Sequence, residues 1–398
     1  MKWMRSGFAL RNTLAAGLAV LMLTSTAVFG NISVSAAGST PKKLVGGEGT
    51  AVISDYSVAR GTVTNRLLAG ARTVAYVDGY GGEFSGDSLA QDIYSRLNQE
   101  FAVDKGNDII VIDLDPPVSV EGAVVIENNT VSVDQDNPDF VAAVNELLTS
   151  IARGCVAFTY DHPEVFWVRN HITNYSYGAA QTGDDTFEAR IVQLSVEMQP
   201  SYSGAYSELS TVTSGIETAV RSIQQGETRY ETLKNIHDYV CDHSTYNYAA
   251  ASSSEASDAH TAAPLFNGKG TFVCEGYSKS FKVLCDRFNI PCALVQGDGI
   301  VSSGEEPHMW NYVKMDDGNW YGVDVTWDDS GDNADYNDYN WFLKGGDEFE
   351  VDHRESGLVT NNSSVQLVYP RLAGDNYDPN APHESSEPVP SEPVPSEP

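Results

Sequence analysis

Positive charge is what this chain most lacks. Lys and Arg number 24 against 55 Asp and Glu in 398 residues, a formal charge of −31. Such a surface repels nucleic acid and anionic lipid, so neither is expected as a partner. Cysteine is sparse too, with five residues whose spacings suit neither a dense disulfide framework nor a zinc site. Because five is odd, at least one thiol should stay free. Long apolar runs are confined to the start, where Lys2, Arg5 and Arg11 precede a run from Leu14 to Phe29 and the small residues Val34-Ser35-Ala36 follow it. This reads as a secretory signal over residues 1–36, cleaved after Ala36 or Ala37. Its loss removes three positive charges and no acid, taking the formal charge to −34. No other stretch reads as long and apolar enough to span a bilayer, so a secreted protein, in the cell wall or free of it, is expected.

Hydrophobic residues make up 41% of the chain, enough to build a core for two units of ordinary size. Residues 37–72, rich in Gly, Ser and Thr, read as a linker or loosely packed leader. Residues 73–200 form a mixed α/β region. Thr73 to Val77, Ile109 to Ile112 and parts of Val118 to Val133 read as strands, Ser88 to Gln99 as a helix, and Phe140 to Ile151 as an amphipathic helix ending before Gly154. Glu188 to Gln199 alternates like a half-buried strand. A second unit, residues 201–370, opens with helices over about Tyr206–Gln225 and Thr228–His243. Residues 371–398 end in repeated Ser-Glu-Pro-Val-Pro, a low-complexity spacer.

The second unit is organised around Cys274. Tyr277, Phe281, Leu284 and Phe288 recur at three and four residue intervals, so they form one stripe of an amphipathic helix with Cys274 at its N-terminal end. Unpaired backbone N–H groups and the positive end of the helix dipole favour a thiolate there. Cys285 and Cys292 read as core fillers, while Cys155 and Cys241 have no assigned part. Downstream, His308 opens one strand-like run and Asp324 lies in another, Trp320 to Trp327, with the turn signal Asp316-Asp317-Gly318 between them. Thiol acyl transfer needs a thiolate, an imidazole and a carboxylate that fixes the imidazole tautomer, and Cys274, His308 and Asp324 supply one of each.

That chemistry constrains the hairpin. A two-residue loop would put His308 and Asp324 on opposite sheet faces. A three-residue loop with Gly318 left-handed pairs Met315 with Asn319, puts His308 opposite Thr326 and Asp324 opposite Trp310, and leaves Met309, Asn311, Val313, Tyr321, Val323 and Val325 on the other face. The three-residue loop is therefore expected.

Phe272-Val273-Cys274-Glu275-Gly276-Tyr277-Ser278, Asn289-Ile290-Pro291-Cys292, His308-Met309-Trp310-Asn311-Tyr312-Val313 and Trp320-Tyr321-Gly322-Val323-Asp324-Val325-Thr326-Trp327 together resemble the transglutaminase-like superfamily, in particular its secreted bacterial cysteine protease branch. The resemblance is strong from about Thr228 to Leu343 and weaker at Asp161-His162-Pro163-Glu164-Val165-Phe166-Trp167. It implies an α+β, papain-like core with the cysteine at a helix N-terminus packed on an antiparallel sheet. It further implies Cys274 as nucleophile, His308 as general base and acid, Asp324 as its orienting partner, and no cofactor or catalytic metal. The implied substrate is a protein or peptide, in the cell wall or at the cell surface, whose amide bond passes through a thioester. Hydrolysis is preferred over glutamine cross-linking, because the tryptophan that helps stabilise the oxyanion in animal cross-linking enzymes is absent between Trp167 and Trp310. The alternative is a non-catalytic surface module on the same fold. His237, His243 and His260 read as structural or solvated. Asp328, Asp329, Asp332, Asp335 and Asp338 read as a solvated acidic loop rather than a calcium site.

Overall fold

The computed structural model describes residues 32–33, 43–44, 46–53, 72–75, 79–81, 84, 86–101, 109–253, 257–329, 338–356 and 365–381. Most of the expected signal, and the repeats from 382 on, lie outside them. The elements used below are, in chain order, strands β1 (Gly46–Ile53) and β2 (Arg72–Ala75), helix α1 (Ser88–Phe101), strand β3 (Ile109–Glu121), helix α2 (Pro138–Asp161) and strands β4 (Val168–Gln181) and β5 (Phe187–Pro200). Helices α3 (Leu209–Ser222), α4 (Arg229–Asp242) and α5 (Cys274–Arg287) follow, then strands β6 (Cys292–Val301), β7 (Gly304–Lys314), β8 (Trp320–Val323), β9 (His353–Glu355) and β10 (Val365–Val368).

Two four-stranded antiparallel sheets carry the fold, one in the order β1-β4-β5-β3 and one in the order β8-β7-β6-β9. Four sequence expectations need correction. Residues 46–53, read as loosely packed leader, form the edge strand β1, its backbone paired with β4 over eight residues. The helix expected to stop before Gly154 runs on to Asp161. Gly154 is there for close approach rather than termination, since a Cβ on it would sit 2.7 Å from the Ala90 carbonyl and from the Ile93 side chain of α1. The full α2 is long and apolar enough to cross a membrane by length and composition, contrary to the sequence reading, but here it is a core helix with Ile151, Ala152, Cys155, Val156 and Ala157 buried. Residues 371–381, read as spacer, pack on the second unit: Leu372 bridges to Trp320, Ala373 N–H donates to the Trp320 carbonyl, and the Tyr377 hydroxyl donates to Asp316.

The two units share one apolar core, with α1, α2, β4 and β5 contributing to the same cluster as α4 and α5. The Tyr80 hydroxyl donates to the Leu294 carbonyl at 2.9 Å, the Tyr160 hydroxyl to Gln296 at 2.5 Å, and β10 returns to pair in parallel with β2. Within the second unit α5 lies on the β6–β7 sheet. Tyr277, Phe281 and Leu284 are fully buried as their spacing implies, each contributing roughly 1.5–3 kcal/mol, so the tip of α5 is rigidly placed. Helix α4 begins at a capping box: Thr228 Oγ1 accepts from Glu231 N–H, and the Glu231 carboxylate accepts from Thr228 N–H.

The hairpin has the register that the chemistry requires. Met315 N–H donates to the Asn319 carbonyl at 2.9 Å, Gly318 has φ +82°, and Asn311, Tyr312, Val313 and Lys314 face Val323, Gly322, Tyr321 and Trp320. The two faces separate as expected. Met309, Val313, Tyr321, Val323 and Val325 enter the main core, while Trp310 and Tyr312 join a second cluster with Ala293, Val295 and Phe349.

Candidate active site

Each candidate side chain is placed by an element whose local sequence dictates it. Cys274 is the first residue of α5, and the residue before it, Val273, has an extended backbone and no side-chain acceptor with which to cap the helix. No side chain therefore caps the first turn, whose Gly276 and Tyr277 N–H groups turn back to the Val273 carbonyl. His308 lies on β7. Asp324 departs from expectation, because the strand stops at Val323 and Asp324 caps the single helical turn Val325–Asp328. Its Oδ1 accepts from Thr326 N–H at 3.0 Å and Trp327 N–H at 3.2 Å, and these bonds turn the chain out of the sheet. Thr326 consequently never comes to lie opposite His308. The carboxylate is nevertheless on the correct side, with His308 Nε2 donating to Asp324 Oδ2 at 2.6 Å. That bond occupies Nε2 and leaves Nδ1 as the ring nitrogen available to a thiol.

The three side chains form one buried unit in which only Cys274, 8% exposed, has a margin toward solvent, against 3% for His308 and 0% for Asp324. Burial opposes a charge on His308. The Asp324 carboxylate outweighs it, Cys274 hydrogen-bonds and adds to the effect, and the imidazole is pushed up to about 10. Burial likewise opposes ionisation of Asp324, but His308 and then His353 hold it well below the usual carboxylate range.

The ring faces of His308 are also fixed. Trp327 stacks on it with centroids 4.9 Å apart and planes at 17°. Gly299 makes room, since a Cβ there would meet the Trp327 ring at 2.8 Å and the His308 Cβ at 3.4 Å. On the other side of the thiol, Thr245–Tyr246 pairs in parallel with Thr271–Phe272, so Tyr246 lies opposite Phe272, two residues ahead of Cys274. Gly270, with φ +60°, allows that ladder, because a Cβ would meet the His243 carbonyl at 2.5 Å. Gly270 thus brings the chain close to residue 243. Burial, the adjacent Cys274, which also hydrogen-bonds to the hydroxyl, and Glu306 together push the ionisation of Tyr246 up.

His353 was not singled out by the sequence reading. Its Nε2 donates to the same Asp324 Oδ2 at 3.0 Å. No spacing pattern marks it, and only the pairing of Gly299 with His353 at the sheet edge carries it there. The ligand-type atoms of His308, Asp324 and His353 lie within 4.8 Å of one another, and Asp324 Oδ2 is taken up there by the hydrogen bonds to both rings.

Asp328 is fully buried, contrary to its reading as part of a solvated loop. Its side chain accepts from Trp341 N–H at 2.8 Å and lies 3.2 Å from His237 Nε2. Asp329 accepts from the Tyr277 hydroxyl at 2.5 Å, and Asp332 and Asp335 lie outside the described residues. His237 is structural, His243 bonds to the Tyr239 carbonyl, and His260 pairs with Glu275 at 2.9 Å. Cys285 and Cys292 are core residues as read; Cys155 and Cys241 are too, and burial raises both of their thiols.

A helix-tip cysteine against a histidine on an antiparallel sheet and an aspartate just past the end of the neighbouring strand is a papain-like arrangement, that of an α+β cysteine-protease-related protein. Residues 216–325 match the model of the transglutaminase-like superfamily, and the chain carries a domain of that superfamily. It is 30% identical over 131 residues to kyphoscoliosis peptidase of Homo sapiens, covering 31% of this chain and 19% of that protein, so it spans about a fifth of that relative's length. It also overlaps a crystal structure of a TGase (17% identity, TM-score 0.26, 37% of this chain and 43% of that one). A third overlap is with the periplasmic domain of TgpA from Pseudomonas aeruginosa (12% identity, TM-score 0.24, 39% and 70%). The family match, not these partial overlaps, carries the assignment.

Proposed function

We propose that the protein is a secreted cysteine enzyme that hydrolyses amide bonds of protein or peptide substrates, with Cys274 as nucleophile, His308 as base and acid, and Asp324 as its orienting group. The observation that carries this reading is the His308–Asp324 bond of 2.6 Å beside the Cys274 thiol. It secures an Nε2–H tautomer and leaves Nδ1 for the thiol proton. In the first half-reaction Sγ attacks the substrate carbonyl carbon, the C–N bond breaks, and the amine leaves with the proton from His308, giving a thioester. In the second, His308 takes a proton from water, the hydroxide attacks the thioester carbonyl, the C–S bond breaks, the sulfur regains the proton from His308, and the carboxylic acid product leaves and gives its own proton to solvent. The Cys274 N–H and the Tyr246 hydroxyl stabilise the oxyanion, the latter in the role that tryptophan has in animal relatives.

Hydrolysis and cross-linking share the acyl-enzyme and differ in what resolves it. A peptide mixture incubated with and without a labelled primary amine separates them: cleavage without incorporation supports hydrolysis, and incorporation into glutamine overturns it in favour of cross-linking.

A further inference from the structure

The carboxylate that orients His308 is itself held by a second histidine. His353 is fully buried in the sheet-edge strand β9, and its ring is fixed on both faces. Phe349 stacks on it at 3.9 Å and 17°, and Trp327 covers it at 4.4 Å, the same indole that stacks on His308. A carboxylate oxygen has no proton to give, so the contact of 3.0 Å between Nε2 and Asp324 Oδ2 is a donation from the ring. At the far end Nδ1 faces only acceptors, Asp352 Oδ1 at 2.8 Å and the Phe349 carbonyl at 3.3 Å. The result is a continuous line from Cys274 through His308, Asp324 and His353 to Asp352.

We infer that His353 is a positioning residue for the reaction proposed above, sharing Asp324 Oδ2 with His308 so that the carboxylate is held in one rotamer and only part of its accepting capacity falls on His308. Asp324 makes four hydrogen bonds, two at each oxygen, and without His353 the His308 bond alone holds Oδ2. Removing the His353 donor concentrates the carboxylate's pull on His308, which then gives up its proton less readily when the amine must be protonated. The other groups facing this line are Tyr246 on the thiol side, Glu306 beyond Tyr246, and Asp328 behind Asp324.

The test uses the full chain with His353→Phe, which keeps a flat ring but no donor, and His353→Gln, whose amide nitrogen can replace Nε2–H. His353→Phe should lower kcat by about 10–100-fold with little change in KM, and should move the titration of the His308 ring, read by nitrogen-15 NMR, to higher pH. His353→Gln should restore most of the loss. A lower melting temperature with unchanged kcat per folded molecule and an unmoved His308 titration would make His353 structural and overturn the inference. Because the NMR titration needs no turnover, an inert wild type whose His308 still responds to His353→Phe would defeat the proposed function while leaving the positioning role standing.

Discussion

Replacing Asp324 by Asn isolates what the carboxylate does, because the amide can keep nearly every other contact. Asn Oδ1 can still accept from Thr326 and Trp327 N–H, preserving the turn that ends β8. The amide nitrogen, however, is a donor where Oδ2 accepted from His308 and His353. Both rings can then meet the amide nitrogen only through an unprotonated Nε2, with the proton held on Nδ1. For His353 this is tolerable, since its Nδ1 faces Asp352 and the Phe349 carbonyl. For His308 it places a proton where the lone pair must receive the thiol hydrogen. The imidazole, at about 10 with the carboxylate present, loses its largest support and is left with burial, which lowers it, against the smaller effect of Cys274. The distance from about 10 to the ordinary value near 6.5 corresponds to at most roughly 5 kcal/mol of preference for the imidazolium, close to the roughly 10⁴-fold loss that the same change causes in serine triads. Single-turnover acylation of Cys274 by an activated ester, followed against pH, should fall by about 10³–10⁴, and because the buried His308–Asp324 pair also supports the fold, stability should fall by about 3–5 kcal/mol. Retention of acylation within about tenfold of wild type would refute the assignment of Asp324 as the orienting acid.

Cys274→Ala should abolish turnover and shift stability by no more than about 1 kcal/mol in a thermal melt, as the thiol lies at the helix tip outside the buried stripe. Tyr246→Phe should lower kcat by about 10²–10³ with KM little changed in steady-state kinetics, as expected for loss of one oxyanion donor. The His308 shift also predicts a stability slope: a group raised to about 10 when folded, against about 6.5 unfolded, contributes fully below pH 6.5 and loses its contribution as pH rises through 10. The melting temperature of the wild type should therefore fall more steeply from about pH 7 to 10 than that of His308→Gln.

Much of the site was legible because its constraints are local or topological. The start of α5 followed from its stripe, and the hairpin register followed from requiring His308 and Asp324 on one face, a demand that a three-residue turn with Gly318 left-handed satisfies. The end of β8 was not legible, because Val325-Thr326-Trp327 has strand propensity and only the Asp324 side chain, bonding back to two N–H groups, turns it into a helical turn. Gly154 misled in the opposite way: as a helix terminator it would be ordinary, but its lack of a Cβ serves the contact with α1. Strand β1 and His353 depend on pairings with residues more than fifty positions away along the chain, which no local pattern encodes.

The central claim is that Cys274 carries the acyl group. Wild type and Cys274→Ala should be treated with an electrophilic acyl-amide probe under native conditions and mapped by peptide mass spectrometry. The account predicts one adduct, on Cys274, formed by the wild type and absent from the variant. An adduct on Cys155, Cys241, Cys285 or Cys292 instead, or peptide cleavage by the variant at the wild-type rate, would contradict it.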